Sequence, residues 1–210
     1  MNYLAHALLS EPDSAGLAGA IIGDFVKGLI PPDMDAGLAR AVRLHRKLDS
    51  LSDAHRAHRR SRRRFSAKRR RYAGIIVDVS YDHFLAQHWN RYGTGELDHF
   101  TARVYASLDE HRSVLPPRLW AIAPRMASQD WLGSYGSLET VGRALDGIAR
   151  RFKRETALPG AIAEVEALYG ALERDFETFF PDMRAEAARW RQLLLAEPPL
   201  PGSSAISQAP

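Results

Sequence analysis

The 210-residue chain has no cysteine, which excludes disulfides, thiolate nucleophiles and Cys-ligated zinc. Any metal must be held by nitrogen and oxygen ligands, a set that suits Mn²⁺, Mg²⁺, iron or a His/Asp zinc site. No run reaches the roughly 18 apolar residues that a bilayer span requires. The opening MNYLAHALLSEP lacks the basic start of a signal peptide, and His6 and Glu11-Pro12 break its apolar stretch. The expected location is therefore the cytoplasm, with no membrane role. A G-x-S-x-G elbow and a G-x-x-x-x-G-K-[ST] phosphate loop are both missing, so neither serine-triad nor P-loop chemistry has support here.

Charge is uneven. Residues 40–71 carry 14 of the 29 Lys and Arg against two acids, Asp49 and Asp53. That segment stands at +12 and the remainder of the chain at −8. A field gathered on one face steers anionic partners.

Apolar spacing reads as helix nearly throughout, so an all-α, single-domain fold is expected over 1–195, with a Pro/Ser-rich tail at 196–210 that lacks the apolar residues to order itself. Asn2 is placed to cap a first helix to Ser10, and Ser14 a second that stops near Gly28 and Pro31-Pro32. Longer helices are expected at about 34–55, 72–89 and 97–115, the middle one with a β-branched run, Ile75-Ile76-Val77, that leaves a strand as its alternative. Segments 118–129 and 137–152 are shorter candidates. Residues 161–180 read as one helix, which Pro181 should interrupt before a last helix from Asp182 to Leu195.

The informative residues are polar groups in apolar stripes. Leu38, Val42, His45 and Asp49 are spaced 4, 3 and 4, which puts them on one helix face. Ile75, Asp78, Asp82, Leu85 and Trp89 follow the same rule, as do Leu17, Ile21 and Asp24, and Asn2, His6 and Leu9. Each alone has a bland reading: His45 with Asp49 is also a surface i,i+4 pair. Asp78 and Asp82, like charges four apart, repel on a surface helix. A lone buried carboxylate is costly, whereas several coexist around a shared divalent cation. Four helices sending such groups inward is how a bundle builds a metal site. His55, His58, His88, His99 and His111 stand in charged or mixed contexts and read as solvated.

Between the ligand helices lies the basic segment, with Arg56, Arg59, Arg60, Arg63, Arg64, Arg69 and Arg70 as candidate contacts to an anionic partner. Charge runs are usually solvated faces, but this one is nearly unopposed. Only Phe65 and Tyr72 interleave it, which argues against single-stranded nucleic acid and leaves an acidic protein at least as well served.

The opening N-Y-L-A-H, the A-G-A-I-I-G-D-F-V-K-G of 18–28, L-H-R-K-L-D-S-L-S-D of 44–53, A-G-I-I-V-D-V-S-Y-D-H-F-L-A-Q-H-W of 73–89 and the F-F-P-x-M of 179–183 together resemble the acyl carrier protein phosphodiesterase family. The resemblance implies an all-helical outlier of the HD-domain metal phosphohydrolases that hydrolyses the phosphodiester between 4′-phosphopantetheine and a serine of holo acyl carrier protein. It further implies a divalent cofactor, Mn²⁺ before Mg²⁺ or Fe²⁺. Carried onto this chain it gives His6, Asp24 and His83 as catalytic residues, and Asp24, His45, Asp49, Asp78 and Asp82 as metal ligands. Asn2 and Lys27 become contacts to the phosphate. The doublet here is Asp82-His83, reversed from the ordinary His-Asp order, and His45 and Asp49 are separated. The rival functions are an HD-like phosphohydrolase acting on nucleotides and a non-catalytic basic nucleic-acid-binding module. Nothing in the sequence speaks to oligomeric state.

Overall fold

A computed structural model describes residues 1–197. Among these residues there are ten α-helices, three 3₁₀ turns and no strand. The helices are α1 (Tyr3–Leu9), α2 (Ser14–Ile22), α3 (Ala36–Ala54), α4 (Arg56–Arg64), α5 (Ala73–Gln87), α6 (Trp89–Tyr92), α7 (Leu97–Glu110), α8 (Pro117–Ser128), α9 (Leu138–Ala149) and α10 (Ile162–Ala196). The all-α expectation holds, and Ile75-Ile76-Val77 is helical. The tail expected at 196–210 lies, from 198 onward, outside the described residues.

Local chemistry sets several helix ends. Asp13, not Ser14, caps α2 by accepting from the Gly16 N–H at 2.7 Å. Asp35 caps α3 through Gly37 and Leu38. His55 ends α3 and caps α4, its Nδ1 accepting from the Ala57 N–H. The arginine-rich stretch does form a helix, because Ala57, His58 and Ser61, with Phe65 just past its end, give it one buried face. Asn2 makes no capping bond to α1.

Two helices lie deepest. In α5, residues on every side are buried, from Ile76 and Val79 to Tyr81 and Phe84, as befits a helix without a polar stripe. It packs on α1, α4, α9 and α10. In α1 all but Leu8 are buried. One core cluster runs from Tyr3 to Leu194, so α1 to α10 form one unit.

Pro181 does not interrupt the last helix; α10 runs 35 residues through it. A proline inside a helix costs about 3 kcal/mol. Around it Phe176, Phe179, Phe180 and Met183 are at most 1% exposed, and each such side chain contributes about 1.5–3 kcal/mol. Burial outweighs the lost hydrogen bond. The helix near 97–115 is shorter than expected: α7 ends at Glu110, and a 3₁₀ turn covers Arg112–Val114.

Candidate metal centre

The site forms where α1, the end of α2 and α3 meet. α3 brings His45 and Asp49 to one face, α1 brings His6, and Asp24 follows two residues after Ile22 ends α2. The imidazoles of His6 and His45 stack, 3.7 Å between centroids and 15° from parallel. His6 Nε2 lies 2.9 Å from Asp49 Oδ1. His45 Nε2 lies 3.3 Å from Asp49 Oδ2 and 3.6 Å from Asp24 Oδ1. On its other side, His45 Nδ1 donates to the Ala20 carbonyl at 2.8 Å, which fixes the ring and turns Nε2 toward the carboxylates. Gly23 is needed for that pose: a Cβ there would fall 2.3 Å from His45 Cγ.

Electrostatics distinguish the two imidazoles. Burial and the neighbouring His45 push His6 down to about 4, so it is neutral at pH 7. Burial alone would lower His45, but the carboxylates of Asp24 and Asp49 close to its Nε2 outweigh it and raise it to about 9. Against the cost of burial, His45 and His6 hold Asp49 far below the carboxylate range. Asp24 is also held low, chiefly by its hydrogen bond to His45 acting against burial. The proton on His45 thus supplies positive charge that two carboxylates demand.

These residues fit a divalent cation. His6, His45 and Asp49 each offer one ligand atom, all within 4.8 Å of one another. His6 Nδ1 is buried and has no hydrogen-bond partner. Neutral His6 has one nitrogen with a free lone pair, and with the ring proton on Nδ1 it is Nε2, 2.9 Å from Asp49 Oδ1, that offers it to an ion. Two imidazoles and a carboxylate are donors of the kind that bind Mn²⁺, Fe²⁺ or Zn²⁺.

The remaining sequence candidates divide. Asp78 sits at the border: its Oδ1 is 3.4 Å from the Met1 amino nitrogen, which in turn is 3.1 Å from Asp49. His58 Nε2 reaches the same Asp78 oxygen at 3.0 Å. His58 is fully buried, contrary to the expectation that it is solvated. Its signal was available, since His58, Ser61 and Phe65 are spaced 3 and 4, but arginines on either side hid the stripe.

Asp82 is buried but is not brought to the His6–His45–Asp49 group. It accepts from the Leu4 and Ala5 N–H groups at 2.8 and 3.0 Å and from the Asn2 amide at 2.9 Å. It therefore satisfies the open N-terminal end of α1 from across the core, and Asn2 is spent on it. Burial raises its carboxyl to about 7 against the pull of those two backbone donors. His83 is turned away from the cluster, one residue round α5. Its Nδ1 bonds the Tyr135 carbonyl at 2.8 Å and its Nε2 lies 3.1 Å from the Tyr169 hydroxyl. Lys27 is exposed on the loop after α2, which Arg46 pins through the Val26 carbonyl at 2.8 Å.

The basic segment also divides. Arg60 and Arg64 both bind Asp175 of α10, a carboxylate 2% exposed that also accepts from Ser61 at 2.9 Å. Arg69 binds Glu164 and the carbonyls of Ala157, Pro159 and Gly160. Arg70 donates to the Phe65 carbonyl, and Arg59 to the Asp53 carbonyl at 3.4 Å. Arg56 and Arg63 are exposed and make no side-chain hydrogen bond or ion pair among the described residues.

The family model described as acyl carrier protein phosphodiesterase matches residues 1–183. A protein of that name from Serratia proteamaculans is 35% identical over 188 residues, covering 89% of this chain and 97% of the relative. Those from Salmonella dublin and Escherichia coli K12 are each 34% identical over 194 residues, covering 90% of this chain and 98% of the relative. No solved structure matches the chain. With the family model spanning most of its length and relatives matched nearly end to end, this chain belongs to the acyl carrier protein phosphodiesterase family.

Proposed function

We propose that this protein is a metal-dependent phosphodiesterase that releases 4′-phosphopantetheine from holo acyl carrier protein in the cytoplasm, leaving the serine hydroxyl of the apo protein. The observation that carries the reading is the His6–His45–Asp49 group, two buried imidazoles converging on a half-exposed carboxylate, in a chain whose family match covers it. Bound there, a divalent ion, Mn²⁺ before Mg²⁺ or Fe²⁺, supplies a Lewis acid for the phosphoryl oxygen and a lowered pKa for water.

The chain's own groups do the rest. Water attacks phosphorus, the P–O bond to serine breaks, and the proton that water gives up ends on the serine oxygen, leaving a phosphomonoester and the serine hydroxyl. Asp24 is ionised and half-exposed beside His45, where it accepts a hydrogen bond from the attacking water and aligns it. The Ala20 carbonyl and Gly23 keep His45 in place. Asp78 and His58 buttress Asp49 through the Met1 amino group. Asp82 locks α1, and hence His6, against α5. Lys27, three residues beyond Asp24, is free to meet the phosphate from solvent.

Mass spectrometry of holo acyl carrier protein incubated with the enzyme and Mn²⁺ tests the reading. The expected product is the apo protein, lighter by the intact phosphopantetheine arm. An unchanged carrier protein alongside hydrolysis of free nucleotides would move the assignment to a nucleotide phosphohydrolase.

A further inference from the structure

A second basic run, Arg150-Arg151-Phe152-Lys153-Arg154, follows α9. Its cations are freer than most of those in the α4 segment, Arg56 and Arg63 excepted. Arg60, Arg64 and Arg69 are neutralised by Asp175 and Glu164. All four are exposed; Arg151 leans on the Tyr3 hydroxyl, and Arg150, Lys153 and Arg154 make no side-chain hydrogen bond or ion pair among the described residues. Unpaired charge keeps its full field for a partner, whereas a compensated arginine has little left.

The run does not stand alone. It walls an open hollow of about 690 Å³ together with Lys68, which comes from the other basic segment. Phe152 is 43% exposed and rests edge-on against Tyr72, 5.9 Å between ring centroids at 83°. Arg71 lies beside the same Tyr72 ring. A half-exposed aromatic ringed by Arg and Lys has the composition of a protein interface centre. The loop also reaches the site: Arg151 and Asp24 both lie against the Tyr3 hydroxyl, and Asp24 is 3.6 Å from His45. A body seated on this loop is held at the lip of the His/Asp group.

We propose that the Arg150–Arg154 loop, with Lys68 and Arg71, is the surface on which the acidic protein substrate docks. The proposal rests on the phosphodiesterase reading for the identity of that substrate. Charge complementarity sets the occupant: four unpaired cations in the hollow (Arg150, Lys153, Arg154 and Lys68) outnumber its two acids, Asp146 and Glu155, and favour an anionic protein. A single exposed aromatic offers too little stacking for single-stranded nucleic acid.

The test is calorimetric binding of apo acyl carrier protein, which carries no scissile bond, to the full chain at low and high salt. The triple variant Arg150→Glu, Lys153→Glu, Arg154→Glu should bind at least tenfold more weakly than wild type and lose most of the salt dependence. The neutral triple Arg150→Gln, Lys153→Gln, Arg154→Gln should fall between. Arg118→Glu on α8, exposed and outside this surface, should bind as wild type does. In steady state with holo carrier protein, the charge-reversed triple should raise KM at least tenfold while kcat stays within about twofold. Undiminished binding of apo carrier protein by the folded charge-reversed triple overturns the proposal. So does wild-type protein that binds single-stranded RNA through this loop and ignores the carrier protein. A wild type that binds apo carrier protein through the loop but leaves holo carrier protein intact sinks the phosphodiesterase reading and keeps the docking surface.

Discussion

Two carboxylates, the buried Asp175 on α10 and the half-exposed Asp49 on α3, are set in opposite ways. Asp175 is 2% exposed and takes Arg60, Arg64 and Ser61. Its charge is matched by groups whose own charge is permanent. Asp49 is 41% exposed and shares His6, His45 and the Met1 amino group with Asp24 and Asp78 close by. Its neighbours are titratable, and one imidazole nitrogen among them has no partner. The first arrangement is complete without a ligand. In the second, a proton on His45 occupies the role that a cation would take. Permanent compensation marks structure, and exchangeable compensation marks a site.

The comparison can be broken most forcefully at His45. His45→Ala removes one imidazole donor and leaves a small hollow; Mn²⁺-dependent hydrolysis of holo carrier protein should fall by at least about 10³-fold, with far-ultraviolet circular dichroism unchanged. At the other carboxylate the effect should fall on stability. Asp175→Ala removes the acceptor of Ser61, Arg60 and Arg64, and since both guanidinium groups reach water it should cost about 1–3 kcal/mol by urea unfolding. Its specific activity per folded molecule should match wild type.

Gly23→Ala is a subtler break. The added Cβ meets the His45 ring and should weaken Mn²⁺ binding by about 10–100-fold with little change in fold.

A fourth prediction concerns pH. Asp82 is raised to about 7 in the folded chain from an ordinary 3.8, so between those values the native state holds a proton that the unfolded state has lost. Stability from this group is therefore full below about pH 4 and declines up to about pH 7. Asp49, Asp78 and Asp175 are lowered instead; their contribution is present above about pH 4 and is lost as pH falls further. Because His6, lowered to about 4, gains stability as pH rises over much of the same window, the Asp82 limb is read from the difference between wild-type and Asp82→Asn urea midpoints across pH 3–8. Asp82→Asn should cost about 1–3 kcal/mol, because its NH₂ faces a donor, and should flatten the limb from 4 to 7. An unchanged slope would mean that Asp82 is ionised throughout.

Much of this was legible in the sequence. Apolar spacing placed α2, α3, α5 and α7, and it put His45, Asp49, Asp78 and Asp82 on inward faces. It did not distinguish an acid that joins the site from one that locks a helix: Asp82 lies in the same stripe as Asp78, and only the approach of α1 decides that its partners are N–H groups. His83 shows the same limit, since one residue round α5 sends it to Tyr169 instead of to His6. His58 was hidden because charge dominates the reading of α4, although its buried side is a regular stripe. The loop after α9 carries four cations in five residues, but the larger excess at 40–71 overshadowed them, and the loop meets Lys68 and Tyr3 only through long-range closure. Pro181 misled because a local rule was outweighed by the burial of four large side chains.

The most direct test of the account is calorimetric titration of Mn²⁺ into wild type, Asp49→Ala and Asp175→Ala, all below the unfolding temperature of the weakest. Wild-type affinity is expected in Asp175→Ala, and a loss of at least about 100-fold in Asp49→Ala. Equal affinity in Asp49→Ala and wild type would contradict it, and the His6–His45–Asp49 group would then be a protonated structural pair like the one around Asp175.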